Sequence, residues 1–130
     1  MIDLGKKLTG NYKYFIYGIS NFGRYCRKFI LENYGEEHFL GFVETIPEVG
    51  SADGKKVLPV SDLSLKCGEK IIIASFANEQ MMHKNLTGMG IDESDVVCLK
   101  EFHPYFRTMQ EVPCGISKVC IYPGGWEINE

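Results

Sequence analysis

Two glycines, Gly18 and Gly23, sit where an aromatic and β-branched run, Lys13 to Ile19, gives way to a segment of helical period. The stretch Gly18-Ile19-Ser20-Asn21-Phe22-Gly23-Arg24 follows the Gly-x-Gly-x-x-Gly spacing of a dinucleotide-binding turn, with Ser20 in the middle place. Each position of such a turn has a mechanical task. The first glycine permits the sharp exit from the strand, the middle one lets backbone approach a pyrophosphate, and the last lets helix and strand pack closely. The free N–H groups and positive dipole end of the helix, here around Asn21 and Phe22, then hold the anion. The Ser20 side chain crowds that approach, although its hydroxyl can itself bond a phosphate oxygen. A carboxylate completes the pattern. Glu44 stands 21 residues beyond Gly23, where dinucleotide sites place an acid for the ribose diol. A plainer reading stays open beside this one. Gly18 and Gly23 then serve only a tight strand-to-helix turn, Arg24 is a solvated first-turn residue, and Glu44 is a loop carboxylate.

Other chemistries find no support in the residue pattern. The chain has no Tyr-x-x-x-Lys pair, so the proton relay of a short-chain dehydrogenase is missing. Arg24-Tyr25 follows the second glycine where a nucleotide-triphosphatase loop needs Lys and Ser/Thr. His38, His83 and His103 are isolated, with no metal-ligand spacing. Cys26 falls in the first turns of the helix, where a dipole lowers a thiol pKa, but also on its apolar stripe, which points to core packing. Asn78 and His103 follow the third long apolar strand and the last one. Each is either a site residue at the carboxyl edge or a helix cap and a loop residue, respectively. The isolated domain is expected to do no chemistry by itself.

The elements that must position these residues alternate in type. Lys13 to Ile19 is read as a buried strand. Phe22, Tyr25, Cys26, Phe29, Ile30 and Tyr34 form the stripe of an amphipathic helix with Arg24, Arg27, Lys28 and Glu32 on its wet side. Gly35 ends it. His38 to Val43 is a second strand closed by Glu44, and Pro47 to Gly54 is a turn-rich loop. Val57 to Val60 is a brief edge strand, because Pro59 cannot donate to a ladder. Ser61 is expected to cap a short helix from Asp62. Lys70 to Ser75 is a fully buried strand, Asn78 to Met89 a helix with Met82, Leu86 and Met89 inward, and Asp95 to Leu99 a last core strand. This alternation predicts an α/β domain with a mainly parallel sheet between two helical layers. Ser75, at the carboxyl end of its strand, joins the candidate set.

The chain has 130 residues, 45% hydrophobic and 24% charged, with a formal net charge of −3. That length suits one domain, placed at residues 1–100, with residues 101–130 as a short appendage or a linker to a further domain. Within it, Lys118 to Tyr122 is read as a strand that covers a sheet edge, with Trp126 packed over it. An acidic balance argues against a nucleic-acid partner. No apolar run approaches the roughly 18 residues of a membrane span, and the start resembles no signal peptide. Five cysteines of irregular spacing fit a reducing compartment, with Cys114 and Cys120 the only near pair. A soluble, cytoplasmic protein is expected.

Several motifs together carry a resemblance. These are Tyr17-Gly18 with Gly23-Arg24, then Leu40-Gly41-Phe42-Val43-Glu44, then Gly54 to Leu63 (Gly-Lys-Lys-Val-Leu-Pro-Val-Ser-Asp-Leu), then Ile71-Ile72-Ile73-Ala74. Over about residues 12 to 99 the chain resembles the Rossmann-like domain that precedes the catalytic part of bacterial polysaccharide-biosynthesis nucleotide-sugar dehydratases and epimerases, and that opens sugar acyltransferases of the same pathways. In that family the second strand usually ends in Asp-Asp, where this chain has Glu44-Thr45. The resemblance implies a Rossmann-like three-layer α/β fold and binding of a nucleotide, an NAD-like dinucleotide or a nucleotide-sugar. The matching positions are Gly18, Ser20, Gly23, Arg24 and Glu44, and Asn21, Phe22 and Ser75 complete the candidate cofactor-binding set. The partners it implies are a small-molecule nucleotide and either a second copy or a downstream catalytic domain. The competing reading is a degenerate Rossmann module used for oligomerisation or docking.

Overall fold

The structure, a computed structural model, describes residues 4–99. The proposed appendage, including His103, Cys114, Cys120, the 118–122 strand and Trp126, lies outside the described residues. Strand β1 (Lys13–Tyr17) leads into helix α1 (Asn21–Asn33) and strand β2 (Phe39–Glu44). A small hairpin of β3 (Ser51–Ala52) and β4 (Lys55–Lys56) precedes the short strand β5 (Leu58–Pro59). Strand β6 (Glu69–Ile73), helix α2 (Glu79–Gly88) and strand β7 (Val96–Cys98) complete the core. The main sheet has five strands in the order β5-β2-β1-β6-β7. Every pairing in it is parallel. The first strand of the chain is central and the order reverses beside it, so the chain winds outward in both directions. This is the arrangement of a Rossmann-like α/β domain.

Hydrophobic pattern explains the layering. Neighbouring strand residues face opposite sides of the sheet. The position of a Cβ on Gly23 of α1 is 3.4 Å from Ile16 Cγ2, whereas Met82 and Leu86 of α2 share a buried cluster with Tyr17, Val43, Ile71 and Ile73. The two helices therefore cover opposite faces. Covered on both sides, Ile71-Ile72-Ile73-Ala74 is wholly buried, which a continuous apolar run requires. β5 holds the edge, with Pro59 opposite Glu44, where a residue without an N–H is tolerated.

Helix α2 shows how a terminus resets a stripe. Met82 and Leu86 are buried as expected, but Met89 is 40% exposed. The helix ends one residue earlier, at Gly88, and Gly90 adopts φ +91°. Gly90 N–H then bonds the Thr87 carbonyl and Ile91 N–H the Leu86 carbonyl, a Schellman cap. Ile91 packs against the core in the place assigned to Met89.

Three further expectations are corrected. Ser61 does not cap a helix: it lies inside a 3-10 turn, Val60–Asp62, preceded by Pro59. The 47–54 loop is not all turn, because Asp53 (φ +52°) and Gly54 (φ +85°) make the two-residue bend of the β3–β4 hairpin. Arg27 is not on the wet face of α1. Its guanidinium carbon stands 5.4 Å from the centre of the Phe39 ring. The start of the chain also contributes more than expected. Leu4 and Leu8 are fully buried, and the segment is held by a Tyr34 hydroxyl donating to Leu8 O (2.8 Å) and by Thr9 N–H donating to the Tyr14 hydroxyl (2.9 Å).

The register of α2 is testable. Leu86→Ala should lose about 2–5 kcal/mol of stability, as for other fully buried leucines. Met89→Ala should change it by less than about 0.5 kcal/mol. Urea unfolding of the two variants decides the matter, and equal losses would refute the Schellman-capped register.

Candidate functional site

The carboxyl ends of the central strands line up. Tyr17 is opposite both Val43 and Ile73, and the ladder runs one residue further through Gly18 N–H to Val43 O and Ala74 N–H to Tyr17 O, both 2.9 Å. The loops leaving β1, β2 and β6 consequently meet at one corner. Gly18 takes φ +116° there, a conformation open to glycine at little cost. Gly23 is demanded by contact: a Cβ on it would lie 2.3 Å from the Gly18 carbonyl oxygen. Both glycines thus do the mechanical work that their spacing suggests.

Ser20 is the N-cap of α1, with extended backbone. Its Oγ accepts the Gly23 N–H at 2.9 Å and donates to the Ala74 carbonyl at 2.8 Å. The hydroxyl thereby bridges the helix start and the end of β6, across the crevice where the strand order reverses. It replaces the open space that a middle glycine leaves. The Arg24 N–H bonds Ser20 O at 2.9 Å, so two donors of the first turn are engaged within the protein.

Glu44 is brought to the same corner. Its carboxylate accepts the Ile19 N–H at 2.5 Å, which ties the end of β2 to the glycine turn. Beside this bond lies a cavity of about 500 Å3 lined by Ile19, Arg24, Glu44, Ile46, Glu48, Val49, Ser51 and Ala52. Its volume is in the range of a small-molecule pocket, and its lining joins apolar Ile19, Ile46 and Val49 to charged Arg24, Glu44 and Glu48. The far wall is the β3–β4 hairpin. The Asp53 carboxylate at its tip pairs with Arg24 Nε at 3.5 Å and Arg27 Nε at 3.8 Å.

The remaining candidates separate from this group. Phe22 is buried and packs on Phe76 at 4.7 Å between ring centres, so its side chain belongs to the core. Asn21 is exposed at the helix start. Ser75 Oγ accepts the Asn78 N–H at 3.2 Å, and Asn78, at the N-cap position of α2, makes no capping bond with its own side chain. Cys26 is a core residue, its thiol pKa driven far above the ordinary value by burial. Cys98, at the end of β7, is pushed up to about 11 by burial and then by the neighbouring Glu79 carboxylate. Neither thiol is a thiolate nucleophile near neutral pH. Among the described residues no cluster of His, Cys, Asp and Glu can hold a metal ion, and no helix is long and apolar enough to cross a membrane.

Residue types alone concealed three members of the corner. Asp53 and Arg27 are brought in by the hairpin, whose signal was the Asp53-Gly54 pair between two short strands. Tyr17, fully buried, bonds the Thr45 hydroxyl at 2.6 Å and accepts from Asn85 Nδ2 at 3.2 Å. That network ties α2 to the end of β2. No protein-family model and no curated protein matches the chain.

The bridging role of Ser20 has a measurable cost. Ser20→Ala should destabilise the domain by about 1–2 kcal/mol, the range for a lost N-cap. Urea denaturation measures this directly, and a loss below about 0.3 kcal/mol would contradict the assignment of both hydrogen bonds to the Ser20 hydroxyl.

Proposed function

We propose that the domain binds a nucleotide, either free, as part of an NAD-like dinucleotide, or as the nucleotide half of a nucleotide-sugar. The observation that carries this reading is the Glu44 carboxylate, fixed beside the glycine turn by Ile19 N–H and facing a cavity of about 500 Å3. Ile19, Ile46 and Val49 offer apolar surface for a base. Glu44 offers an acceptor for a ribose diol, the task of the acid at the end of the second strand in such folds. The resemblance over residues 12 to 99 points to a role in surface-polysaccharide biosynthesis, in the cytoplasm where nucleotide-sugars are made, and the α/β fold is compatible with that role. Catalysis would then belong to a downstream domain or a partner.

A second reading has its own observation. Because the Ser20 hydroxyl bonds both Gly23 and Ala74, the place of a pyrophosphate over the turn is narrowed. A degenerate module that docks or oligomerises fits that closure.

Titration with AMP, NAD, NADP, UDP-sugars and CDP-sugars, followed by backbone amide shifts, separates the two. The nucleotide reading expects shifts at Ile19, Arg24, Glu44 and Val49, with NAD favoured over NADP because Glu44 repels a 2′-phosphate. Glu44→Ala should weaken binding by about 1–2 kcal/mol, while Glu44→Gln, which keeps an acceptor for Ile19 N–H, controls for loss of the turn. Absence of any shift at millimolar ligand would leave docking as the better account, and tighter binding of NADP would overturn the role of Glu44.

A further inference from the structure

Two guanidinium groups converge on one carboxylate oxygen at the rim of the cavity. Arg24 and Arg27 stand three residues apart on α1, which puts them on one face of the helix, and both direct Nε at Asp53 Oδ2, at 3.5 and 3.8 Å. Charge-assisted N–H···O bonds close to about 2.7–2.9 Å, so neither contact is a formed hydrogen bond. The Arg27 Nε is in fact buried without a hydrogen-bond partner among the described residues. A buried donor left unbonded is costly. Two five-donor forks facing a single oxygen are an incomplete match, whereas a phosphate group presents three oxygens and takes bidentate bonds from each fork.

We infer that Arg24 and Arg27 form an anion subsite for the 5′-phosphomonoester of a small ligand, and that Asp53 occupies it as a tethered stand-in while no ligand is bound. The hairpin makes this exchange local. Asp53 sits at the tip of a two-residue bend between strands of two residues each, and its neighbours Ser51 and Ala52 line the cavity. Release of its carboxylate therefore moves a short arm and leaves the sheet intact. Arg27 is braced over the Phe39 ring, which holds one fork in place for the incoming anion. Glu44 and Glu48 line the same cavity. With Asp53 ionised, three carboxylates oppose two arginines, and neutralising Asp53 leaves two against two with both guanidinium groups released to an anion. The subsite adjoins the proposed nucleotide cavity but does not depend on it.

The test uses the full chain with inorganic phosphate, AMP and adenosine, read through the arginine Nε–H resonances and the backbone amides. Asp53→Asn removes the competing charge and keeps a residue suited to positive φ. It should tighten phosphate and AMP by about two- to fivefold, the scale of a competing surface ion pair, and leave adenosine unchanged. Adding Arg27→Gln or Arg24→Gln to that variant should abolish the gain, with melting temperature confirming that each variant is folded. Unchanged phosphate affinity in Asp53→Asn, or a gain that survives loss of either arginine, would overturn the subsite. If AMP shifts Ile19 and Glu44 while Asp53→Asn has no effect, the subsite alone falls. If phosphate binds as expected but neither AMP nor adenosine reaches the cavity amides, the subsite stands and the nucleotide reading falls.

Discussion

Among the glycines of the described residues, the one with least room for a side chain is Gly23, where the start of helix α1 meets the turn it leaves. A Cβ on Gly23 would stand 2.3 Å from the Gly18 carbonyl oxygen, so only glycine lets the helix descend this far. The descent has two effects on the strand ends around it. It brings the Ser20 hydroxyl within bonding distance of both Gly23 N–H and Ala74 O, locking the ends of β1 and β6 together. It also presents Ile19 N–H to the Glu44 carboxylate, locking β1 to β2. The first turn of α1, which in a doubly wound sheet faces a ligand, becomes a junction that joins three strand ends.

The junction is closed on one side and open on the other. Toward Ala74, the serine hydroxyl takes the room that a glycine would leave for phosphate, and it satisfies polar groups that burial would otherwise penalise. Toward β2, Glu44 fixes the turn and still borders the cavity beside the hairpin. Rigidity and openness are compatible here because Glu44 commits one carboxylate oxygen, Oε2, to Ile19 N–H. The Ser20 hydroxyl holds Gly23 N–H, and Arg24 lines the cavity beside Glu44.

Much of this frame was legible because it rests on local rules. Ile71-Ile72-Ile73-Ala74 can only be a strand covered on both faces, and a glycine turn between strand and helix has few alternatives. The misplaced elements depended on where a terminus or a tertiary contact falls. Met89 lost its inward position because a Gly90 cap ended the helix early and Ile91 replaced it. Arg27 is solvated on a helical wheel, yet the Phe39 ring and the hairpin lie beside it in the fold. The Ser20 hydroxyl was open to a phosphate or to the protein, and only the position of Ala74, 54 residues away in sequence, decides between them. The segment of Leu4 and Leu8 is likewise held by the Tyr34 hydroxyl, 26 residues from its partner Leu8, and by the nearby Tyr14.

Asp53 shows why such distant effects concentrate at the rim of the cavity. A residue with a side chain prefers negative φ, and Asp tolerates the left-handed region better than most. Glycine would serve that bend with less strain, as Gly54 does beside it, so backbone geometry alone does not call for Asp. What the aspartate adds is a carboxylate facing two guanidinium groups on α1. The contact is too long for tight hydrogen bonds and is partly exposed, where ion pairs are worth at most about 1 kcal/mol. Such a weak latch orders the hairpin against the helix without fixing it. The hairpin wall of the cavity is therefore held by a charge that another anion can replace, while Ile19 on the other side is held by its N–H bond to the Glu44 carboxylate.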